Sequence, residues 1–371
     1  MRDVVVLGAG LHRYGIYPEK PFVFMGVEAC LRAFEDAELE WKDIEVGYCG
    51  SVNLRTPAGH VIAQALGSYG ATMTNVENAS ASGSSAFREA YLAIASGMHD
   101  VAIAIGVDKL REYRQASPHD AKTGSVKAPV NTGPARSFAF RARDHMAEYG
   151  TTVDQLAMVS VKSHRNASFN PYAHYQKPVT LEEVHQSRMV VAPLTVLHCC
   201  PWDEGAAAVV LCAAEVAPRF TRKPCPRVLA SVCTGLTGGD PLVDLTQVTA
   251  YKAYDIAGCG PEDLNLVECH DAFTIEEIIY YEALGLCPTG EGGRLMESGA
   301  TEIGGRIPVN TSGGLISMGH PIGPTGLGQI AEILRQMRGQ AGSRQIPDNP
   351  QIGLAHMVGA GGVCFIHILG L

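Results

Sequence analysis

Three short stretches carry side chains that can make and break bonds. The first is the small-residue turn Ser80-Ala81-Ser82-Gly83-Ser84-Ser85, between a strand-like end, Val76-Glu77-Asn78-Ala79, and an amphipathic run from Phe87 to Ser96. A hydroxyl on a strand-to-helix elbow can act as a nucleophile where a base takes its proton. The second stretch is His270-Asp271-Ala272-Phe273, and the third is the glycine-rich block from Asn310 to Gly326, in which His320 follows Gly319. Imidazole is the side chain best suited to exchanging protons near neutral pH, so His270 and His320 are the candidate acid–base groups. His320 could serve Ser80 as base, but the sequence shows no clear acid to orient its ring. An alcohol is several units weaker an acid than a thiol, at about 1.36 kcal/mol per unit. Covalent, hydrogen-bonding and inert roles for Ser80 therefore all stay open.

Stepping outward, regular elements flank these stretches. Residues 75–107 read as strand, elbow, helix and strand, the last being the apolar run Val101 to Val107. That unit is typical of a parallel α/β sheet with its site at the elbow. Before it come a buried strand over Asp3 to Gly10, a helix over 21–37 and a strand over 45–51. Gly8-Ala9-Gly10 echoes a dinucleotide-binding turn, but Leu11-His12-Arg13 stands where the third glycine belongs, so a plain strand and turn is expected. Residues 109–150 show little periodicity and read as a long loop, a lid or binding loop. Helical pieces over 151–190 surround Asn170-Pro171-Tyr172, and Ala206 to Cys212 is another apolar strand.

A second round follows Pro226. It has a strand over Val228 to Val232, a helix over 245–259, a strand over Leu264 to Glu268 and a helix over 274–284. The glycine-rich block, a helix over 327–338 and strands over 352–357 and 363–369 complete it. Both rounds share one order of elements, which implies an internal duplication. The expected division is residues 1–108 and 191–225 for an N-terminal half, 109–190 for a loop or lid region, and 226–371 for a C-terminal half.

Composition limits the function. The 371 residues are 46% hydrophobic and 18% charged, enough for a sizeable core. The net charge of −9, from 29 basic and 38 acidic residues, argues against a nucleic-acid binder. Eleven cysteines without CxxC spacing argue against a disulfide framework, a zinc ribbon or another metal site in this chain, and suggest reduced thiols in the cytoplasm. No secretory leader is read, because the run Val4 to Leu7 is short and follows Arg2 and Asp3 directly. Residues 351–371 lack charge and are about as long as a membrane span. Their glycines (Gly353, Gly359, Gly361, Gly362 and Gly370) with His356 and His367 fit two strands around a turn better, so no membrane span is expected.

Taken together, these motifs resemble the thiolase family over nearly the whole chain. Asn310-Thr-Ser-Gly-Gly-Leu-Ile-Ser-Met-Gly-His320-Pro-Ile-Gly-Pro-Thr-Gly326 is similar to the N-x-x-G-G…G-H-P-x-G-x-x-G block. His270-Asp-Ala-Phe273 resembles the H-D-C-F block of the sterol-carrier-protein type, where common thiolases have N-E-A-F. His198-Cys-Cys-Pro-Trp-Asp-Glu-Gly-Ala-Ala-Ala208, Asn170-Pro-Tyr-Ala-His-Tyr-Gln176, Tyr281-Glu-Ala-Leu-Gly-Leu-Cys-Pro288 and His356-Met-Val-Gly-Ala-Gly-Gly362 are similar to the same type. The resemblance implies an α/β fold of two βαβαβαββ halves in five αβαβα layers, with a loop region over the site. It also implies a dimer or larger assembly, without an appended sterol-carrier domain.

The departures from the family pattern bear on the chemistry. Ser80 takes the position of the nucleophilic cysteine, and Ala272 that of the cysteine in H-D-C-F. The cysteine that common thiolases place before the last glycine loop falls near Met357. Cys269 is adjacent to His270, but successive strand residues point to opposite faces. The resemblance keeps enolate stabilisation: His320 and His270 flank the oxygen of a coenzyme A thioester, directly or through a water, each such donor being worth about 10²–10³ in rate. Backbone N–H groups near Ser80 and Gly359 would form a second oxyanion pocket. Gly319, Gly361, Asn310 and His356 complete the candidate set, the glycines and Asn310 as shapers of turns and His356 by packing or hydrogen bonding.

No bound cofactor is implied; coenzyme A enters as part of the substrate. Cysteine-free thiolase-like proteins of this type cleave β-hydroxyacyl-CoA by retro-aldol chemistry with a small partner built from an OB-fold and a zinc ribbon. That reaction is the first expectation here, with His320 or a nearby tyrosine as base and His270 as stabiliser. Acyl transfer or thiolysis through Ser80 is the second, and a non-catalytic acyl-CoA-binding subunit the third. Arg111, Arg114, Lys122 and Lys127 are the candidate coenzyme A contacts in the loop region.

Overall fold

β1 (Val4–Gly15) is buried at every position except Arg13, as expected of a strand covered on both faces. It lies near the middle of a nine-stranded mixed sheet in the computed structural model, which describes residues 2–54, 56–67, 70–109, 132–236, 238–360 and 362–371. The strands are β2 (Val46–Gly50), β3 (Thr72–Val76), β4 (Val101–Asp108), β7 (Glu204–Ala213), β8 (Arg227–Gly235), β9 (Leu266–Glu268), β10 (Ile352–Gly359) and β11 (Val363–Gly370). A separate ribbon joins β5 (Met189–Val191) and β6 (Leu194–Thr195). The main sheet runs β3-β2-β4-β7-β1-β8-β11-β10-β9. Its first five strands and last four form two sets that meet at the pair Val5–Arg227.

Ten helices are used below: α1 (Phe22–Ala37), α2 (Ala58–Leu66), α3 (Ser82–Ala95), α4 (Thr132–Tyr149), α5 (Val153–Ser168), α6 (Leu181–Gln186), α7 (Val243–Ala257), α8 (Thr274–Ala283), α9 (Gly292–Glu297) and α10 (Thr325–Met337). α1 covers β1 and β7, and α7 covers β8 and β11. Between them α3 and α10 pack on each other and reach strands of both sets. These paired central helices bring the elbow and the glycine-rich block together.

The Gly8-Ala9-Gly10 run is mid-strand. A Cβ on Gly10 would lie 2.2 Å from the Ala29 carbonyl oxygen, so the glycine lets α1 lie close on β1. Two expectations need correction. α3 starts at Ser82, not at Phe87; Ser82 through Phe87 are all buried, but the first turn is small and mostly serine, so it has no apolar stripe to reveal a helical period. The stretch expected as irregular over 109–150 contains α4. Its buried apolar residues are Ala135, Ala139 and Ala142, too small to register as an apolar stripe, with His145 buried beside them. α4 also places Phe138 in a stack on Phe273, with centroids 4.5 Å apart, directly over the His270 turn. Among the described residues, no helix is long and apolar enough to cross a membrane.

Candidate active site

Ser80 sits on a tight turn. Ala79 before it is held at φ +49°, a left-handed conformation costly for a residue with a Cβ. Ser82 braces the turn: its hydroxyl donates to the Ala79 carbonyl at 2.7 Å and accepts the Asn78 N–H at 2.9 Å. The half-buried Ser80 hydroxyl then lies 3.1 Å from His320 Nε2. The other ring nitrogen, Nδ1, is 2.9 Å from Thr325 Oγ1 in the first turn of α10. Burial of the ring, aided by the neighbouring His270, holds the His320 imidazole well below its ordinary range, so it is neutral.

His270 is buried and meets His320 edge-on, with ring centroids 5.4 Å apart. Its Nδ1 is 3.0 Å from Glu276 Oε1. A carboxylate acceptor there fixes a ring N–H at Nδ1, and Nε2 is the nitrogen left for a substrate. Among the described residues Nε2 has no hydrogen-bond partner although it is buried. Glu276 is itself fixed: Oε2 accepts the Phe273 N–H at 3.0 Å and Oε1 accepts the Tyr280 hydroxyl at 3.2 Å. The oriented His–acid pair of this site is therefore His270–Glu276, not one on His320.

His356 braces the segment that carries His270 after β9. Its Nδ1 accepts the His270 N–H at 3.5 Å and its Nε2 meets the Thr246 hydroxyl at 3.1 Å. Burial pushes it down to about 3. Asn310, at φ +56°, accepts the Cys269 N–H at 2.8 Å and donates to Glu277 Oε2 at 2.7 Å, so its amide is engaged within the framework. The Cys269 thiol is buried, receives a weak bond from the same amide, and is pushed up by burial, so it keeps its proton. Gly359 ends β10 against the elbow; a Cβ there would lie within 2.2 Å of the Asn78 carbonyl oxygen. Gly319 has φ +119° and is seated against the Asp203 carboxylate. Gly361, Arg111, Arg114, Lys122 and Lys127 lie outside the described residues.

Two carboxylates absent from the candidate set anchor the glycine-rich loop. Asp203 accepts the His320 N–H at 3.1 Å. Asp108, at the end of β4, accepts from Asn53 N at 2.7 Å, from Val52 N at 3.1 Å and from Gly323 N at 2.8 Å. Burial pushes Asp108 up to about 7 against the pull of those donors. The segment 199–203 bridges the two histidines: Cys199 pairs with Phe273, and Trp202 with His320.

Residues 9–215 match the family "Thiolase, N-terminal domain", and residues 237–370 match "Thiolase C-terminal domain-like". The chain belongs to the thiolase superfamily. It is 41% identical to an acetyl-CoA acetyltransferase of Methanothermobacter thermautotrophicus over 99% of both chains. It is 36% identical to the benzoylsuccinyl-CoA thiolase subunit BbsB of Thauera aromatica, over 97% of this chain and 95% of that one. Bovine sterol carrier protein 2 is 34% identical over 98% of this chain and 71% of its own length. Among solved structures, the Ltp2-ChsH2(DUF35) aldolase aligns with a TM-score of 0.86 and 26% identity over 99% of this chain and 97% of that one. Such relatives make this thiolase-fold chain an enzyme of that superfamily, acting on acyl-CoA.

The site residues missed in the sequence had only weak signals. Glu276 stands three residues after Phe273, the spacing at which a helix-start glutamate reaches back to the cap. Thr325 is five residues after His320, beyond a proline turn whose geometry spacing alone does not fix. Asp108 and Asp203 act through backbone N–H groups far away in sequence, for which no local motif exists.

Proposed function

We propose that this enzyme cleaves, or in reverse forms, the Cα–Cβ bond of a β-hydroxyacyl-CoA by aldol chemistry. The observation that carries the reading is His270 Nε2: an oriented, buried nitrogen with no hydrogen-bond partner among the described residues. With substrate in the site, it takes the β-hydroxyl proton. The Cα–Cβ bond breaks, a carbonyl product leaves, and the electron pair moves onto the thioester as an enolate. His320, with its proton on Nε2 and the Thr325 hydroxyl donating to Nδ1, stabilises the enolate oxygen. His270 returns its proton to Cα. Ser80 serves as a hydrogen-bonding wall of the pocket, and no acyl-enzyme is needed.

The solved relative named as an aldolase with a DUF35 component supports this reading and the expectation of a small OB-fold and zinc-ribbon partner. The cytoplasm is proposed from the unpaired cysteines and a homodimer or larger assembly from the family resemblance, and coenzyme A takes part as the carrier of the acyl group. The test is incubation of the chain, alone and with such a partner, with a panel of β-hydroxyacyl-CoA thioesters. Release of an aldehyde or ketone with a shortened acyl-CoA is the expected result; an uncleaved panel overturns the proposal.

A second reading rests on the 3.1 Å contact between Ser80 and His320. With the Thr325 hydroxyl accepting from Nδ1–H, Nε2 becomes the base for Ser80, and acyl transfer through an acyl-serine follows. Intact-protein mass after incubation with acetyl- or propionyl-CoA separates the two. No acyl gain is expected; a gain in wild type that Ser80→Ala abolishes moves the enzyme to acyl transfer, in line with its relatives named as acetyltransferase and thiolase.

A further inference from the structure

We propose that His174 is a positioning residue for His320, acting through the carboxylate of Asp203. The inference rests on His320 being part of the reacting site, and it adds the side chain that fixes where its main chain lies.

The geometry is a two-ended bond. His174 Nδ1 donates to Asp203 Oδ1. Asp203 Oδ2 accepts the His320 N–H at 3.1 Å. One fully buried carboxylate thus ties an imidazole from the segment after α5 to the backbone of the catalytic histidine. Asp203 is seated against Gly319, the residue before His320. Burial pushes the Asp203 carboxyl up, and its bond to His174 pulls it back, so the His174 ring keeps this acceptor strong.

The backbone around His174 makes the link rigid. His174 N donates to the Met318 carbonyl at 2.9 Å, and Tyr175 N to the Ser317 carbonyl at 3.1 Å. On the other side, Tyr14 N at the end of β1 donates to the Tyr172 carbonyl at 3.0 Å, and Arg13 Nε to that of Ala173 at 3.1 Å. Residues 172–175 therefore bridge β1 and the glycine-rich loop by hydrogen bonds on both sides. Upstream, Asn170 donates to the Ser312 carbonyl at 2.9 Å, and Asn166 to that of Asn310 at 3.1 Å. The loop is held along its length, and His174 is the point where that grip reaches His320. The His174 side chain is 21% exposed, while Asp203 is 0% exposed. The ring thus borders solvent while the carboxylate it holds does not.

The test uses the full-length chain labelled with ¹⁵N-histidine, the His320 amide being assigned by its loss in His320→Gln. An amide that donates to a carboxylate resonates downfield. In His174→Ala the His320 amide moves upfield, and in His174→Gln, whose amide still donates to Asp203, it stays in place. In parallel, kcat for β-hydroxyacyl-CoA cleavage falls about 10- to 100-fold in His174→Ala with KM unchanged, and recovers in His174→Gln. A His320 amide that does not move in His174→Ala overturns the proposal. If His174→Ala gives no dispersed spectrum, His174→Phe, which fills the space of the ring without a donor, decides on the same signal: an upfield shift supports the link and an unmoved amide overturns it. An absence of turnover in the wild type would count against the proposed reaction alone, because the amide reports the link without substrate.

Discussion

Ser80 and Thr325 place their hydroxyls at opposite nitrogens of one ring, 3.1 Å from His320 Nε2 and 2.9 Å from His320 Nδ1. A hydroxyl donates or accepts, so this three-residue relay has two forms that differ in which nitrogen carries the proton. One form presents a donor at Nε2, the other a base. Choice of tautomer separates enolate stabilisation from serine activation.

Thr325→Val keeps the volume of the side chain and removes the hydroxyl. The ring then loses its Nδ1 partner, and kcat falls about 10- to 100-fold with KM unchanged. Thr325→Ser restores it. Steady-state cleavage of the best β-hydroxyacyl-CoA checks both.

Glu276→Gln retains an acceptor for the Phe273 N–H but withdraws the negative charge beside His270. General-base catalysis contributes about 10²–10⁴ in rate, and most of that is lost. Circular dichroism and the melting temperature show that the fold persists. A full rate in the folded variant would exclude His270 as the base.

Gly319→Ala meets two obstacles, a φ of +119° and the adjoining Asp203 carboxylate. Backbone strain alone costs about 1–3 kcal/mol, and displacement of Asp203 releases the His320 N–H as well. Urea unfolding shows the lower stability, and activity is lost at temperatures where the variant is still folded.

His367 tests the pH dependence of folding. Burial pushes its folded value down to about 3, well below the ordinary imidazole value near 6.5. Below pH 6.5 the unfolded chain takes up a proton that the folded chain refuses, so stability falls as pH drops through this window. The slope is up to about 1.4 kcal/mol per pH unit for one such group. His367→Gln removes that slope; denaturant midpoints measured between pH 7 and pH 4.5 flatten relative to wild type.

Strands such as β4 and β7 were legible because unbroken apolar runs bounded by turns admit little else. α4 was hidden because its fully buried apolar positions are all alanine, and the start of α3 because its buried first turn is mostly serine. Ser80, His270 and His320 stood out through residue type and glycine context, and the structure brings them together. Their supporting carboxylates did not stand out: Asp108 and Asp203 bind main-chain N–H groups more than a hundred residues away, a relation set by how the two halves dock and not by local spacing.

The contact between Ser80 and His320 joins residues 240 positions apart, one carried by each half of the chain. In refolding, contacts of such sequence separation close late, because the chain entropy of the intervening loop must be overcome first. Helical signal and buried fluorescence therefore recover before catalysis does. Two halves expressed as separate polypeptides would each carry part of the machinery and no chemistry, and mixing them would restore activity with a second-order dependence on concentration.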